Sequence, residues 1–319
     1  MTLNLEHKTV EADGFSNIAL IKYMGKSNAS LNQATNPSMS YTLPHLKSVV
    51  KISSSMATGD HWMPLAGPGL QDLVLSEKGQ AKFLKHVERL KNLWNVKGFL
   101  KIESANNFPA DCGIASSASS FAALTLAMAQ FYNRPESPVE LARLSRLGSG
   151  SSCRSFFSPW CLWNGDQIEL IELPYKKLLH LVILIDAEKK EVSSSEAHLR
   201  VASSPLFEGR EARVAMRTEG LLSALKKEQW PAAFQIVWDE FEDMHQLFET
   251  SQPAFSYRND KSKKVLDECQ KVWLIEKDGP LVTMDAGPNI HLLFRENQRT
   301  IFLKMKQQFL KKNQVLASE

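Results

Sequence analysis

The chain has 319 residues, of which 43% are hydrophobic and 23% charged, an ordinary globular balance that at roughly 100–200 residues per domain suits one large or two medium domains. Its 38 Lys and Arg against 35 Asp and Glu leave a formal charge of +3, which gives no footprint for a duplex-binding protein and allows only a locally basic pocket. No apolar run approaches the roughly 18 residues of a membrane helix; residues 121–131 and 178–185 are core-sized. Residues 1–14 are polar and charged, without the apolar stretch of a secretory signal. Cys112, Cys153, Cys161 and Cys269 form no C-x-x-C pair, so a reducing cytoplasm is expected rather than a disulfide framework or structural zinc.

In chain order, residues 18–23 form a short apolar segment, and 48–53, rich in Val and Ile, read as a strand. Phe83, Leu84, Val87, Leu90 and Trp94 recur at helical spacing, which predicts an amphipathic helix over 80–95. Residues 99–104 read as another strand. Serines suited to capping then open a strong helix over 116–132. A shorter helix is expected at 138–147 and a buried strand at 181–186. Helices follow at 193–202, 210–226 and 231–248, then a strand–turn–strand at 281–294 and a last helix from about 297. A strand-rich first half and a helix-rich second half with its own small sheet argue an α+β protein. The expected domains are 1–187 and 188–319.

Four segments carry chemistry. Residues 107–120 bring a glycine and small hydroxyl residues to a helix start, where backbone N–H groups and the helix dipole favour an anion; the alternative is a plain serine-rich helix start. Residues 148–155, Gly-Ser-Gly-Ser-Ser-Cys-Arg-Ser, make a donor-rich loop whose Arg154 offers a planar fork for phosphate or carboxylate; the alternative is a linker. Asp285 closes an apolar strand ahead of turn formers, as a turn cap or as a base near a substrate hydroxyl. Lys22 and Lys26 flank Tyr23 and Gly25 in a strand-like segment that alone reads as a solvated edge. No G-x-x-x-x-G-K-[ST], H-E-x-x-H or G-x-S-x-G occurs, and the eight histidines read mostly as surface or satisfied core groups. The charged run 258–264 reads as a solvated helix start.

Taken together and in order, these segments resemble the diphosphomevalonate (mevalonate diphosphate) decarboxylase family of the GHMP kinase superfamily. The family's N-I-A-x-x-K-Y-W-G-K is similar to residues 17–26, and L-N-x-P-T-N-x-S-x-S-x-T-L to 31–43. N-F-P-x-x-x-G-L-A-S-S-A-S-G is similar to 107–120, S-R-x-G-S-G-S-A-C-R-S to 145–155, and V-S-S-T to 192–195; D-A-G-P-N stands unchanged at 285–289. A weaker match covers His245 and residues 257–260. Met24, Ser120, Ser158-Pro159 and Ser195 replace the family's tryptophan, loop-closing glycine, paired glycines and threonine.

The resemblance implies a GHMP-kinase-like two-domain α+β fold, with a split β-α-β unit in the second domain and the active site in the interdomain cleft. It implies an ATP- and Mg2+-dependent decarboxylation of mevalonate 5-diphosphate, through 3-phosphorylation, to isopentenyl diphosphate. Asp285, Lys22 and Arg154 are then the catalytic residues: Asp285 as base or orienting group at the 3-hydroxyl, Lys22 near the transferring phosphoryl group, Arg154 on the substrate's carboxylate and phosphate end. Substrate contacts would come from Tyr23, Lys26, Ser149, Ser151, Arg154 and Ser194. Nucleotide contacts would come from Asn107, Pro109, Gly113, Ser116, Ser117 and Ser119. The expected partner is a phosphorylated mevalonate, with no nucleic acid or membrane and a possible homodimer. Alternatives are a mevalonate 5-phosphate decarboxylase, a mevalonate 3-kinase and a silent phosphometabolite-binding protein.

Overall fold

The computed structural model describes residues 8–109, 116–185 and 191–318. Its elements run β1 (Thr9–Ile21), β2 (Lys26–Asn28), β3 (Gln33–Ala34), β4 (Ser38–Ser55), β5 (His61–Pro64), α1 (Glu77–Trp94), β6 (Phe99–Asn106), α2 (Ser116–Phe131), α3 (Pro138–Arg146), a 3₁₀ helix (Gly150–Phe156), β7 (Trp160–Asn164), β8 (Gln167–Leu170), β9 (Leu178–Leu184), α4 (Ser194–Arg200), α5 (Arg210–Lys226), α6 (Trp230–Thr250), α7 (Asp260–Glu276), β10 (Leu281–Met284), β11 (Ile290–Arg295), α8 (Arg299–Leu310) and β12 (Gln314–Ala317). The helices expected from apolar spacing are present. α3 begins with Pro138 and a Ser137–Glu140 capping box, and Asn259 with Ser262 caps α7 in the same reciprocal way.

The first sheet is organised by β4. One edge of this strand pairs antiparallel with β1; the other pairs with β7 over Ser38–Tyr41 and with β6 over Ser48–Ser55. A register shift falls where Phe15 faces Lys47 and Ser16 faces Leu43, so Pro44, which lacks an N–H, sits in a bulge. Both strands exceed the expected short segments at 18–23 and 48–53, because each is extended by pairing with the other. α1 and α2 pack on this sheet around Val87, Leu90, Ile102, Leu124 and Met128.

The second sheet has the order β10-β11-β9-β12, antiparallel throughout. β11 lies between β9 and β10, and helices connect those two strands in the chain, which is the split β-α-β arrangement. β9, which precedes the expected division after residue 187, pairs with β11 and β12, so the two sheets part between β8 and β9. Ile18 and Leu20 of β1 share one core with Val182 of β9, Leu221 of α5, Val237 of α6 and Leu293 of β11. The inner end of β1 is thereby clamped between the two halves. Burying each such aliphatic side chain contributes about 1.5–3 kcal/mol, and the clamp fixes where the chain emerges at Lys22.

Candidate active site

After Ile21 the chain leaves the β ladder while still buried, so its backbone polar groups need partners from side chains. Glu240 Oε1 accepts from the Lys22 N–H at 3.2 Å. Asn36 Nδ2 donates to the Lys22 carbonyl at 2.8 Å, and Thr35 Oγ1 to the Met24 carbonyl at 3.2 Å. Lys22 itself is not the solvated edge suggested by its local sequence: it is 2% exposed, and its Nζ donates to Asp285 Oδ1 at 2.7 Å.

Asp285 follows β10, so this ion pair spans the two sheets. Its carboxylate bonds to Lys22 rather than capping its own turn. Burial works to raise the Asp285 pKa, but Lys22, His291 and Arg154 outweigh it and hold the carboxyl below its ordinary range. Burial lowers the Lys22 pKa, with Asp285 opposing that shift and Arg154 adding to it.

Arg154 lies in the 3₁₀ helix and is 4% exposed. Nε donates to Asn17 Oδ1 at 3.2 Å and Nη1 to Ser38 Oγ at 3.1 Å. Asn17 is held in turn by Ser155 Oγ at 2.8 Å. Two of the five guanidinium N–H groups are thus fixed by neutral atoms, which orients the fork without neutralising it. The 148–155 segment is neither a linker nor a loose loop. A side chain at Gly150 would come within 2.6 Å of the Tyr23 ring, so this glycine provides room for close approach rather than flexibility.

Tyr23 packs edge-on against Trp163 at 4.8 Å. Burial, foremost, raises its pKa, so its hydroxyl stays protonated. Lys26 Nζ donates to Asn32 Oδ1 at 2.7 Å, and Asn32 Nδ2 reaches the carbonyls of Arg146 and Leu147 at the end of α3. Ser117 at the start of α2 and Ser149 before the 3₁₀ helix meet at 3.3 Å between hydroxyls. The two serine segments therefore form one surface. Lys82 of α1, exposed and 5.2 Å from the Phe121 ring centre, adds a further cation at which the charge of Lys26 is felt.

Lys22, Tyr23, Lys26, Ser117, Ser149, Arg154 and Asp285 are linked by these contacts and charges. Ser151 is half-buried and its carbonyl accepts from Asn17 Nδ2 at 3.4 Å. Ser194 is exposed at the start of α4. Pro109 and Ser116 are half-buried on either side of the undescribed stretch, and Gly113 lies outside the described residues.

Two of the expected nucleotide contacts are hydrogen-bonded within the fold. Asn107 accepts from Lys47 N at 2.8 Å and donates to the His45 carbonyl at 2.9 Å, tying β6 to β4. Ser119 is fully buried, with its hydroxyl between Ser48 Oγ at 2.7 Å and the Ser116 carbonyl at 3.1 Å.

Glu240 and His198 were not expected at the site, and no local pattern marks them; Thr35 and Asn36 fall in the 31–43 motif but had no expected role there. Their partners lie on other elements. Of the histidines, His86, His180 and His291 are buried with a hydrogen-bonded ring nitrogen, and His245 is fully buried beside the Lys22–Asp285 pair.

Residues 14–169 match the family model described as diphosphomevalonate decarboxylase-like N-terminal domain, and 180–319 the one described as mevalonate 5-diphosphate decarboxylase C-terminal domain. Diphosphomevalonate decarboxylase mvd1 of Aspergillus fumigatus is 30% identical, covering 89% of this chain and 76% of that one. The crystal structure of a mevalonate diphosphate decarboxylase from Legionella pneumophila superposes with a TM-score of 0.90 at 45% identity, over 97% of this chain and 100% of that chain. A structure named MDDEF, in complex with MVAPP, AMPPCP and magnesium, superposes with a TM-score of 0.85 at 28% identity, over 98% and 96% of the two chains. Both halves, the site between them and these relatives agree: this chain belongs to the diphosphomevalonate decarboxylase family.

Proposed function

We propose that the chain catalyses the ATP-dependent decarboxylation of mevalonate 5-diphosphate to isopentenyl diphosphate, through phosphorylation of the 3-hydroxyl, with release of ADP, phosphate and CO2. The observation that carries this reading is the Lys22–Asp285 pair, 2.7 Å apart across the two sheets, beside a buried Arg154 bonded only to neutral groups among the described residues. A tertiary hydroxyl leaves poorly and its phosphate leaves well. Loss of that phosphate with CO2 builds negative charge on the leaving group and positive charge at the tertiary carbon. Fixed cations stabilise the first of these without reorganising.

Asp285, held ionised by Lys22, suits the role of acceptor that orients the 3-hydroxyl better than that of a strong base, whose pKa would lie near the working pH. Lys22 offers its charge to the phosphoryl group in transfer. Arg154 offers the remaining edge of its fork to carboxylate or phosphate, with Tyr23, Lys26, Ser149, Ser151 and Ser194 as further substrate contacts. Ser116, Ser117 and the start of α2 suit the nucleotide phosphates. Magnesium carried on the phosphates of ATP would offset their charge. We further infer a cytoplasmic protein that can pair as a homodimer.

The test is turnover with ATP, magnesium and either mevalonate 5-diphosphate or the 5-monophosphate, reading ADP, phosphate and CO2 together. Equal amounts of all three from the diphosphate are expected. ADP without CO2 would make the chain a kinase, and no product from either substrate would make it a binding protein.

A further inference from the structure

His198 lies on α4 in the second half, yet it contacts the turn that ends β1 in the first. The Gly25 N–H donates to its Nδ1 at 3.1 Å, and its ring lies 4.2 Å from the Tyr23 ring, tilted by 37°. A ring nitrogen that accepts a hydrogen bond carries no proton. The contact therefore requires a neutral imidazole with its proton on Nε2. The surroundings agree: burial first, then Lys26 and Arg154, bring the His198 pKa down to about 3.

Gly25 has little other freedom. It is buried at φ +94°, and a Cβ there would stand 2.7 Å from the Phe207 ring and 2.8 Å from Thr35 Oγ1. Thr35 and Asn36 hold the carbonyls of Met24 and Lys22 from within the first half. His198 holds the next N–H from the second half, immediately before Lys26.

We propose that His198 is a positioning residue that sets affinity for the phosphate-bearing end of the substrate, by fixing across the cleft the backbone that carries Tyr23 and Lys26. This rests on the reading of those two residues as substrate contacts. Replacing the imidazole with an apolar group leaves a buried N–H without an acceptor and frees the turn before Lys26. The bond joins Gly25 and His198 and involves none of the residues read as nucleotide contacts.

The experiment is steady-state kinetics of the full chain, with KM for mevalonate 5-diphosphate, KM for ATP and kcat read separately. His198→Leu should raise the substrate KM about tenfold while kcat and the ATP KM stay within about twofold. His198→Asn, whose Oδ1 takes the place of Nδ1, should restore the substrate KM to within about threefold of the wild type. If His198→Leu does not fold, His198→Gln displaces the acceptor by one bond and should give the same KM rise. A wild-type substrate KM in the folded Leu or Gln variant overturns the proposal. So does an equal worsening of both KM values that Asn fails to rescue, which describes general loosening. Lys26→Met separates the two levels: an unchanged substrate KM there refutes the substrate-site reading itself, whereas a raised one beside a normal His198→Leu refutes only the positioning role.

Discussion

Two groups of cations adjoin Lys22 and are treated in opposite ways. Between α5 and α6, Arg210, Arg213 and Arg217 each meet a carboxylate of Glu240 or Asp243: Arg210 reaches both, at 2.8 Å to Glu240, and Arg217 lies 2.9 Å from Glu240 and 3.0 Å from Asp243. Across the cleft, Arg154 and Lys26 have amides and a hydroxyl instead. Buried charge is costly unless paired. In the first group three guanidiniums share two carboxylates, so most of their charge is balanced within the fold, and the group supports it, since Glu240 also accepts the Lys22 N–H. The second leaves its charge for a polyanion to balance, which is how a binding site differs from a scaffold of the same residue types.

The largest expected effect lies on the paired side. Glu240→Ala should cost about 3–5 kcal/mol of stability, because it takes from an almost fully buried Arg210 one of its two carboxylates and from the buried Lys22 N–H its acceptor. Denaturant melts read this directly, and a loss under about 1 kcal/mol would make the cluster ornamental. On the unpaired side the effect should fall on chemistry. Arg154→Lys keeps the charge and loses the fork, so turnover should drop at least about 10²-fold, the scale of removing one transition-state donor, with melting unchanged or raised. A fall in melting with normal turnover would reverse the comparison.

Acid sharpens the comparison further. Burial, first among the causes, lowers His45 and His291 to about 4, His86 and His245 to about 3, and His180 well below its ordinary value. Folded pKa values below the unfolded one mean that the unfolded chain takes up protons first. Stability from these groups is therefore complete above about pH 6.5 and is lost as pH falls towards 4. Melting temperature measured from pH 8 to 4 should hold and then drop steeply. A flat profile would mean that these imidazoles are not kept neutral by the fold.

The smallest effect belongs to the exposed Ser117. Ser117→Ala should raise the ATP KM about fivefold, the equivalent of roughly 1 kcal/mol for one hydrogen-bond donor, and leave melting alone. A shift in the substrate KM instead would put a different ligand against α2.

How much of this was legible follows from which contacts are local. α2, α3, α5 and α6 carry their apolar residues within the segment, and α3 its capping box as well, so their positions could be read closely. β1 and β4 were read at only part of their length. Thr9–Ser16 shows little beyond alternation on its own and is extended because β4 lies beside it. The β7–β8 hairpin and β12 were not read at all, being short strands whose register is set by β4 and β9.

At the site, ordered motifs marked Lys22 and Asp285, but no spacing argument brings together residues 263 positions apart. The same motifs include Asn107 and Ser119, which turn inward to hold strands and helix in place. His198 and Glu240 carry no motif, because their significance lies wholly in the backbone groups they meet across the fold.

The central claim is that Asp285 serves the reacting hydroxyl and is more than a structural partner of Lys22. One preparation of Asp285→Asn, assayed for turnover, ligand binding and melting temperature, tests it. Turnover per folded molecule should fall by at least about 10²-fold, with ATP and mevalonate 5-diphosphate still bound, whatever stability is lost by unpairing the buried Lys22. A destabilised Asp285→Asn protein with near-normal turnover would contradict the assignment.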